Sequence, residues 1–103
     1  MNLNDYIKGW LIGDFEPSLI KTKDLEVGIK RYKTGDKDKN HYHKLTTEYT
    51  VVLRGVVKML DKIWKENDII IVKPNTENKF ECIEDACVLV IKTPSLTGDK
   101  YDC

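Results

Sequence analysis

The period of its apolar residues constrains this chain most. Between Asp24 and Pro94 hydrophobic positions recur every second residue or in short unbroken runs, and no segment repeats them at the spacing of a helix face. "DLEVGIKRYKT" sets Leu25, Val27 and Ile29 against Glu26, Gly28 and Lys30, the pattern of a half-buried strand. "TEYTVVL" is rich in β-branched and aromatic residues; "VVKML" resumes after Arg54-Gly55, which predicts a hairpin or bend at the glycine. Asp61-Lys62 separates off "IWK", Glu66-Asn67-Asp68 marks a turn, and "IIIVK" runs into Pro74-Asn75. "KFECI" and "ACVLVIKT" read as the last two strands, split by Glu84-Asp85, with Pro94 ending the second. The expectation is an all-β chain of about eight to ten short antiparallel strands, a sandwich or small barrel with little helix.

Composition removes several function classes. At 103 residues the chain has the size of one domain, and its 17 basic residues are matched by 17 acidic ones. That balance argues against a general nucleic-acid binder or a membrane-surface protein. Only Arg31 and Arg54 are arginine, so planar clamps for phosphate are scarce. No apolar stretch is long enough to span a membrane, and "MNLNDYIKGW" lacks the basic-then-apolar pattern of a signal peptide; a cytoplasmic protein is expected. Cys82, Cys87 and Cys103 fit reduced thiols, with Cys82 and Cys87 across a tight turn as small apolar side chains.

Both histidines fall in "NHYHKLTTEYTVVLRG", residues 40–55. Residues two apart on a strand share a face, so His41 and His43 converge while Tyr42 turns away. Glu48 heads the next strand, where Glu48, Thr50 and Val52 share one face, and barrel closure sets that face against the imidazoles. Two imidazoles and a carboxylate converging in a barrel mouth are donors for a divalent first-row metal: Fe, Mn, Ni, Cu or Zn.

The spacing Gly35–His41–His43–Glu48–Gly55 resembles, position for position, the first motif of the cupin superfamily. "NDIIIVKPNTENKF" resembles the second, with Asn67 and Asn75 at the motif's glycine positions, Asn78 at its third histidine and Phe80 at its aromatic. The flanking "GWLIGDFEPSLIKTKDLEVGIKRYKTGDK" and "LVIKTPSLTGDKY" are similar to the ends of small single-domain cupins, some relatives of which are joined to sugar-nucleotide transferase domains. The resemblance implies a jelly-roll β-barrel spanning 1–103, with motif one at 35–55 and a degenerate motif two at 67–82. It also implies His41, His43 and Glu48 as metal ligands, Asn78 as a weaker fourth, and a cavity wall that includes Thr50 and Phe80.

Two function classes follow. One is a barrel that binds a divalent metal, a small polar ligand or both, as a binding or sequestering module. The other is an enzyme of isomerase, epimerase or dioxygenase type on a sugar-like or nucleotide-like substrate, with a metal or with His43 and Glu48 as acid and base. Trp10 and Phe15 are expected to cover the barrel or a partner subunit, Tyr32 to compete for the cavity wall, and Tyr49 to point outward by strand parity. Apolar residues around Trp10 and in "CVLVI", and the need to cover edge strands, predict a homodimer with the N-terminal segment in its interface.

Overall fold

The computed structural model describes residues 1–103. A 3-10 turn at Leu3–Asp5 is followed by nine strands: β1 (Trp10–Gly13), β2 (Ile20–Lys21), β3 (Glu26–Tyr32), β4 (His41–Tyr42), β5 (Thr47–Met59), β6 (Lys62–Lys65), β7 (Ile69–Val72), β8 (Glu81–Thr93) and β9 (Tyr101–Asp102). The all-β reading and the near absence of helix hold.

The barrel is organised by two long strands. β5 and β8 each run for 13 residues and pair antiparallel from Thr47 opposite Thr93 to Lys58 opposite Glu81, with register shifts between Val52 and Val57. Those shifts bend both strands, so that β7 pairs the first half of β5 and β6 the second. Beyond β8 the sheet continues through β3, β1 and β2. Residues 35–41 run beside 78–82, joined by backbone bonds such as Gly35 N–H to the Cys82 carbonyl and a reciprocal pair between His41 and Asn78. A two-strand sheet of β4 and β9 finishes the closure.

Of the two alternatives at Arg54-Gly55, hairpin or bend, the structure has the bend, whereas Glu84-Asp85 does not separate two strands as expected; both lie within the β5–β8 bulge, where extra residues are absorbed without reversing the chain. Cys82 and Cys87 therefore stand in one strand rather than across a turn, and both are free thiols. Gly55 permits the bend: its φ is +88°, and a Cβ there would sit 2.1 Å from the Asp85 carbonyl oxygen. The hairpin reversal of β5 into β6 is at Leu60-Asp61, with φ of 52° and 56°, and further turns fall at Asn67 and Asn75, with φ of 74° and 64°. Asparagine thus takes the left-handed conformation at both positions where glycine was expected.

The core is aliphatic and sits between the halves of the bent pair: Val52, Val57, Ile70, Cys82 and Val88 are almost wholly buried. The parity of β3 is the reverse of that expected from its apolar residues. Gly28, Lys30 and Tyr32 pair with Val90, Val88 and Ala86 and face inward with them, whereas Val27 and Ile29 face out. Ile29 instead lines an outer, largely apolar pocket with Leu3, Tyr6, Leu11 and Leu19 of the N-terminal segment. The reversed parity leaves a lysine and a tyrosine, Lys30 and Tyr32, on the cavity wall.

Gly55→Ala is expected to lower stability by about 2–4 kcal/mol, since it combines a left-handed backbone strain with a clash against main chain. Urea unfolding checks this, with Gly35→Ala, which has open space around its Cβ position, as the comparison for left-handed strain alone.

Candidate functional site

The inward residues of β5, β8 and β3 build the site by register. Ile70, Thr50, Val90 and Gly28 form one cross-strand row; Val72, Glu48, Lys92 and Glu26 form the next. The rows enclose a cavity of about 370 Å3 whose wall includes His41, Glu48, Thr50, Asn78 and Phe80. Five of the six residues expected at the site thus share one space. His43 does not line it. It faces an adjoining cavity of about 130 Å3 with Thr46, Leu96 and Asp99, separated from the first by Lys92 and Lys100, which line both.

The imidazoles are near each other, with ring centroids 5.3 Å apart at 82°. Each ring has its Nδ1 against a backbone carbonyl: His41 at 2.9 Å from the Lys39 oxygen, and His43 against the Asp99 oxygen. A carbonyl oxygen only accepts, so in the neutral ring Nδ1 carries the hydrogen and Nε2 the lone pair. His43 Nε2 is buried and has no hydrogen-bond partner.

The donor types fit a divalent transition metal, and two imidazoles are prepared for one. The carboxylate is directed elsewhere. Glu48 lies 4.0 Å from the Lys92 ammonium, and the Asn78 side-chain oxygen accepts the Leu60 N–H at 3.1 Å. No three His, Cys, Asp or Glu side chains gather closely enough to hold a metal as they stand. A third protein donor would require Glu48 to exchange Lys92 for the ion.

Several cavity residues were not legible as such. Trp10 covers the barrel as expected, but from the cavity side: its ring lies on Gly28, where a Cβ would come 2.7 Å from it, and only glycine admits that approach. The Lys30 and Lys92 ammonium groups stand 4.2 and 5.2 Å from its ring centroid. The Tyr32 ring packs against Phe80 with centroids 4.4 Å apart and planes tilted by 41°; burial, then the charges of Asp38 and Glu48, push its hydroxyl up to about 12, so it stays protonated. Tyr49 points outward, as parity required.

Asp99 is the residue that sequence reasoning missed altogether. Its carboxylate is buried and accepts the N–H groups of Lys44, Leu45 and Thr46 at 3.0 Å each, and the Thr46 hydroxyl. It thereby fixes the loop between His43 and Glu48, while its carbonyl orients His43. The acid in "LTGDKY" was visible, but its partners lie more than 50 residues away in the chain. Burial alone would raise the Asp99 carboxyl; the hydroxyl bond of Thr46 and the three amides outweigh it and hold it at about 2.

A bent two-strand spine, a closing seam and inward polar residues at one end make this a double-stranded β-helix, the cupin fold. Solved structures agree. An uncharacterized conserved protein with a double-stranded β-helix domain from Klebsiella pneumoniae matches with a TM-score of 0.74 at 16% identity, covering 100% of this chain and 95% of that one. KdgF from Halomonas sp. matches at 0.67 and 18%, covering 74% of each chain. An RmlC-like cupin from Shewanella frigidimarina matches at 0.66 and 16%, over 74% of this chain and 71% of that one. At such identities the likeness is one of fold. No family model matches the sequence, and no curated protein does.

The depressed Asp99 carboxyl predicts acid sensitivity with a definite sign. Its contribution to stability is complete above its ordinary value of 3.8 and is lost as pH falls toward about 2. Asp99→Asn should cost about 2 kcal/mol at neutral pH, because three amides lose a charged acceptor. It should also flatten the pH dependence of the urea midpoint between about pH 4 and 2.

Proposed function

We propose that residues 1–103 act as one cupin unit that binds a small polar ligand in the main cavity, with a divalent metal as an optional companion. The observation that carries this is the wall itself. His41, Glu48, Thr50 and Asn78 bring polar atoms to an enclosure whose rear is the aliphatic core. Its volume falls at the small end of the roughly 300–1,000 Å3 common for ligand pockets. A metal would be held by Nε2 of His41, with Glu48 and the Asn78 oxygen as further donors in the same cavity and His43, whose ring centroid is 5.3 Å from that of His41, reaching it from the adjoining one; it would supply Lewis acidity to the bound ligand. The enzyme reading, with His43 and Glu48 as acid and base, draws less support, because the two groups face different cavities.

Nuclear magnetic resonance titration tests the binding reading. Small polyols, sugars and organic acids are expected to move the amides of Thr50, Asn78 and Phe80, and Zn2+ or Ni2+ the imidazole nitrogens. His41→Ala should remove the metal response with less than about 1 kcal/mol change in stability, since the side chain borders open space. A broad ligand and metal screen that leaves these resonances unmoved would overturn the proposal.

We propose further that the unit is a homodimer through the outer face of its sheet. Two cross-strand rows there are apolar from edge to edge: Ile69, Val51, Leu89 and Ile29, and beside them Ile71, Tyr49, Ile91 and Val27. Ile69 and Ile71 are at least half exposed in the single chain. A self-complementary patch of this kind suits a two-fold axis. The N-terminal segment, expected in the interface, borders this face at Ile29 through Leu3, Tyr6, Leu11 and Leu19. Light scattering should give twice the 12.0 kDa chain mass, and Ile71→Glu should halve it while leaving the circular dichroism unchanged.

A further inference from the structure

The main cavity carries a concentration of positive charge that the chain as a whole does not have. Acidic and basic residues balance at 17 each. Around the cavity, however, the ammonium groups of Lys8, Lys30, Lys92 and Lys100 face only two carboxylates, Asp38 and Glu48. The only ion pairs in the chain are Lys21 with Glu16 and Lys92 with Glu48, so Lys8, Lys30 and Lys100 have no carboxylate within 4.0 Å. Glu26, the next carboxylate along the Lys92 row, accepts the Ser95 hydroxyl at 3.0 Å in the side cavity.

The manner in which the cations are gathered matters more than their number. Lys30 and Lys92 meet over the Trp10 ring, and Lys30 also donates to the Lys8 carbonyl. An aromatic face and a carbonyl hold ammonium groups in place without neutralising them. Placing two like charges in a partly desolvated space costs free energy, and the molecule shows it. Burial first, then the charges of Lys92 and Lys8, depress the Lys30 ammonium to about 8. Gly28 contributes by admitting the indole that collects the two groups.

We infer that the main cavity is a site for a small dianion, a phosphomonoester or a dicarboxylate, whose charge is met by Lys30, Lys92, Lys8 and Lys100 at the open end while its polar body reaches Thr50, His41 and Asn78. Two surplus cations call for two negative charges. The aliphatic floor of Val88, Val90 and Met59 limits the ligand's size and keeps its charged end at the mouth. The inference rests on the proposal that this cavity binds a small polar ligand, and it differs from the metal reading in one respect. The same Lys92 that serves an anion keeps Glu48 from a metal.

The test is calorimetric titration of the full chain after EDTA treatment, with inorganic phosphate, malonate and uncharged xylose as probes, each paired with amide shifts at Thr50 and Phe80. Phosphate or malonate should bind and move those amides, and whichever binds more tightly identifies the anion's source. Lys30→Met should weaken the anion by roughly tenfold or more, and the exposed Lys62→Met should leave it unchanged. Lys92→Met should weaken the anion and strengthen Ni2+ binding, opposite signs that a general loss of fold cannot produce. If xylose binds in the cavity and neither anion does, the dianion assignment fails and the binding proposal stands. The assignment fails equally if the anions bind untreated protein and EDTA abolishes that binding. Anion binding that Lys30→Met leaves intact, or that moves no cavity amide, reduces the effect to surface charge and overturns the inference. If no probe and no metal binds, both readings fail.

Discussion

The pairing of β5 with β8 is the constraint on which everything else depends. It joins the two halves of the barrel through one continuous ladder, so the cavity wall inherits its register from that ladder alone. A one-residue slip would exchange Glu48, Thr50 and Val52 for Tyr49, Val51 and Leu53, turning the polar wall outward and the apolar outer row inward. The bulge near Gly55 restricts such slips, because extra residues are accommodated there and nowhere else along the pair. Bend, register and site composition are therefore one property of the sequence rather than three.

The same ladder sets the electrostatics of the interior. Glu48 and Lys92 are neighbours by register, and both are largely withdrawn from water, with side-chain exposures of 13% and 19%. Removing two charges from solvent is costly, and their mutual attraction offsets the cost only in part. Such a pair is weak evidence of stability. Under the two binding proposals it would stand between two kinds of ligand, since a cation competes for the carboxylate and an anion for the ammonium.

The legible part of this molecule was local. The His41–His43–Glu48 spacing, the inward set of β5 and the asparagine turns at 67 and 75 each depend on residues a few positions apart, where strand parity and turn chemistry are reliable guides. Apolar alternation also located β3, but it assigned the wrong face: Val27 and Ile29 belong to the apolar outer rows of the sheet, and Ile29 borders an N-terminal segment that no periodicity connects to it. A bulge and a turn leave similar marks in sequence, glycine or acidic residues interrupting an apolar run, and only pairing on the opposite strand distinguishes them. The lysines of the cavity looked like ordinary surface charge. Lys30 and Lys92 converge on Trp10 from two different strands, β3 and β8, and Lys8 and Lys100 join the cavity wall from outside the strands, which is a tertiary fact.

Asp99 performs two tasks with two different parts of itself. Its side chain caps the loop after His43, a task that depends on residue type. Its carbonyl fixes which nitrogen of His43 is free, and every amino acid has a carbonyl. The orientation of that imidazole is thus written in the path of the chain rather than in a residue's identity. Substitutions at 99 that preserve the path would leave the tautomer intact, and comparison of residue types across related chains would not reveal the constraint. Insertion or deletion of a single residue between Pro94 and Tyr101 would destroy it: the β9 pairing with His41 and Tyr42 would move out of phase, and a different peptide group would stand opposite the ring. For this segment, length is the conserved quantity to look for.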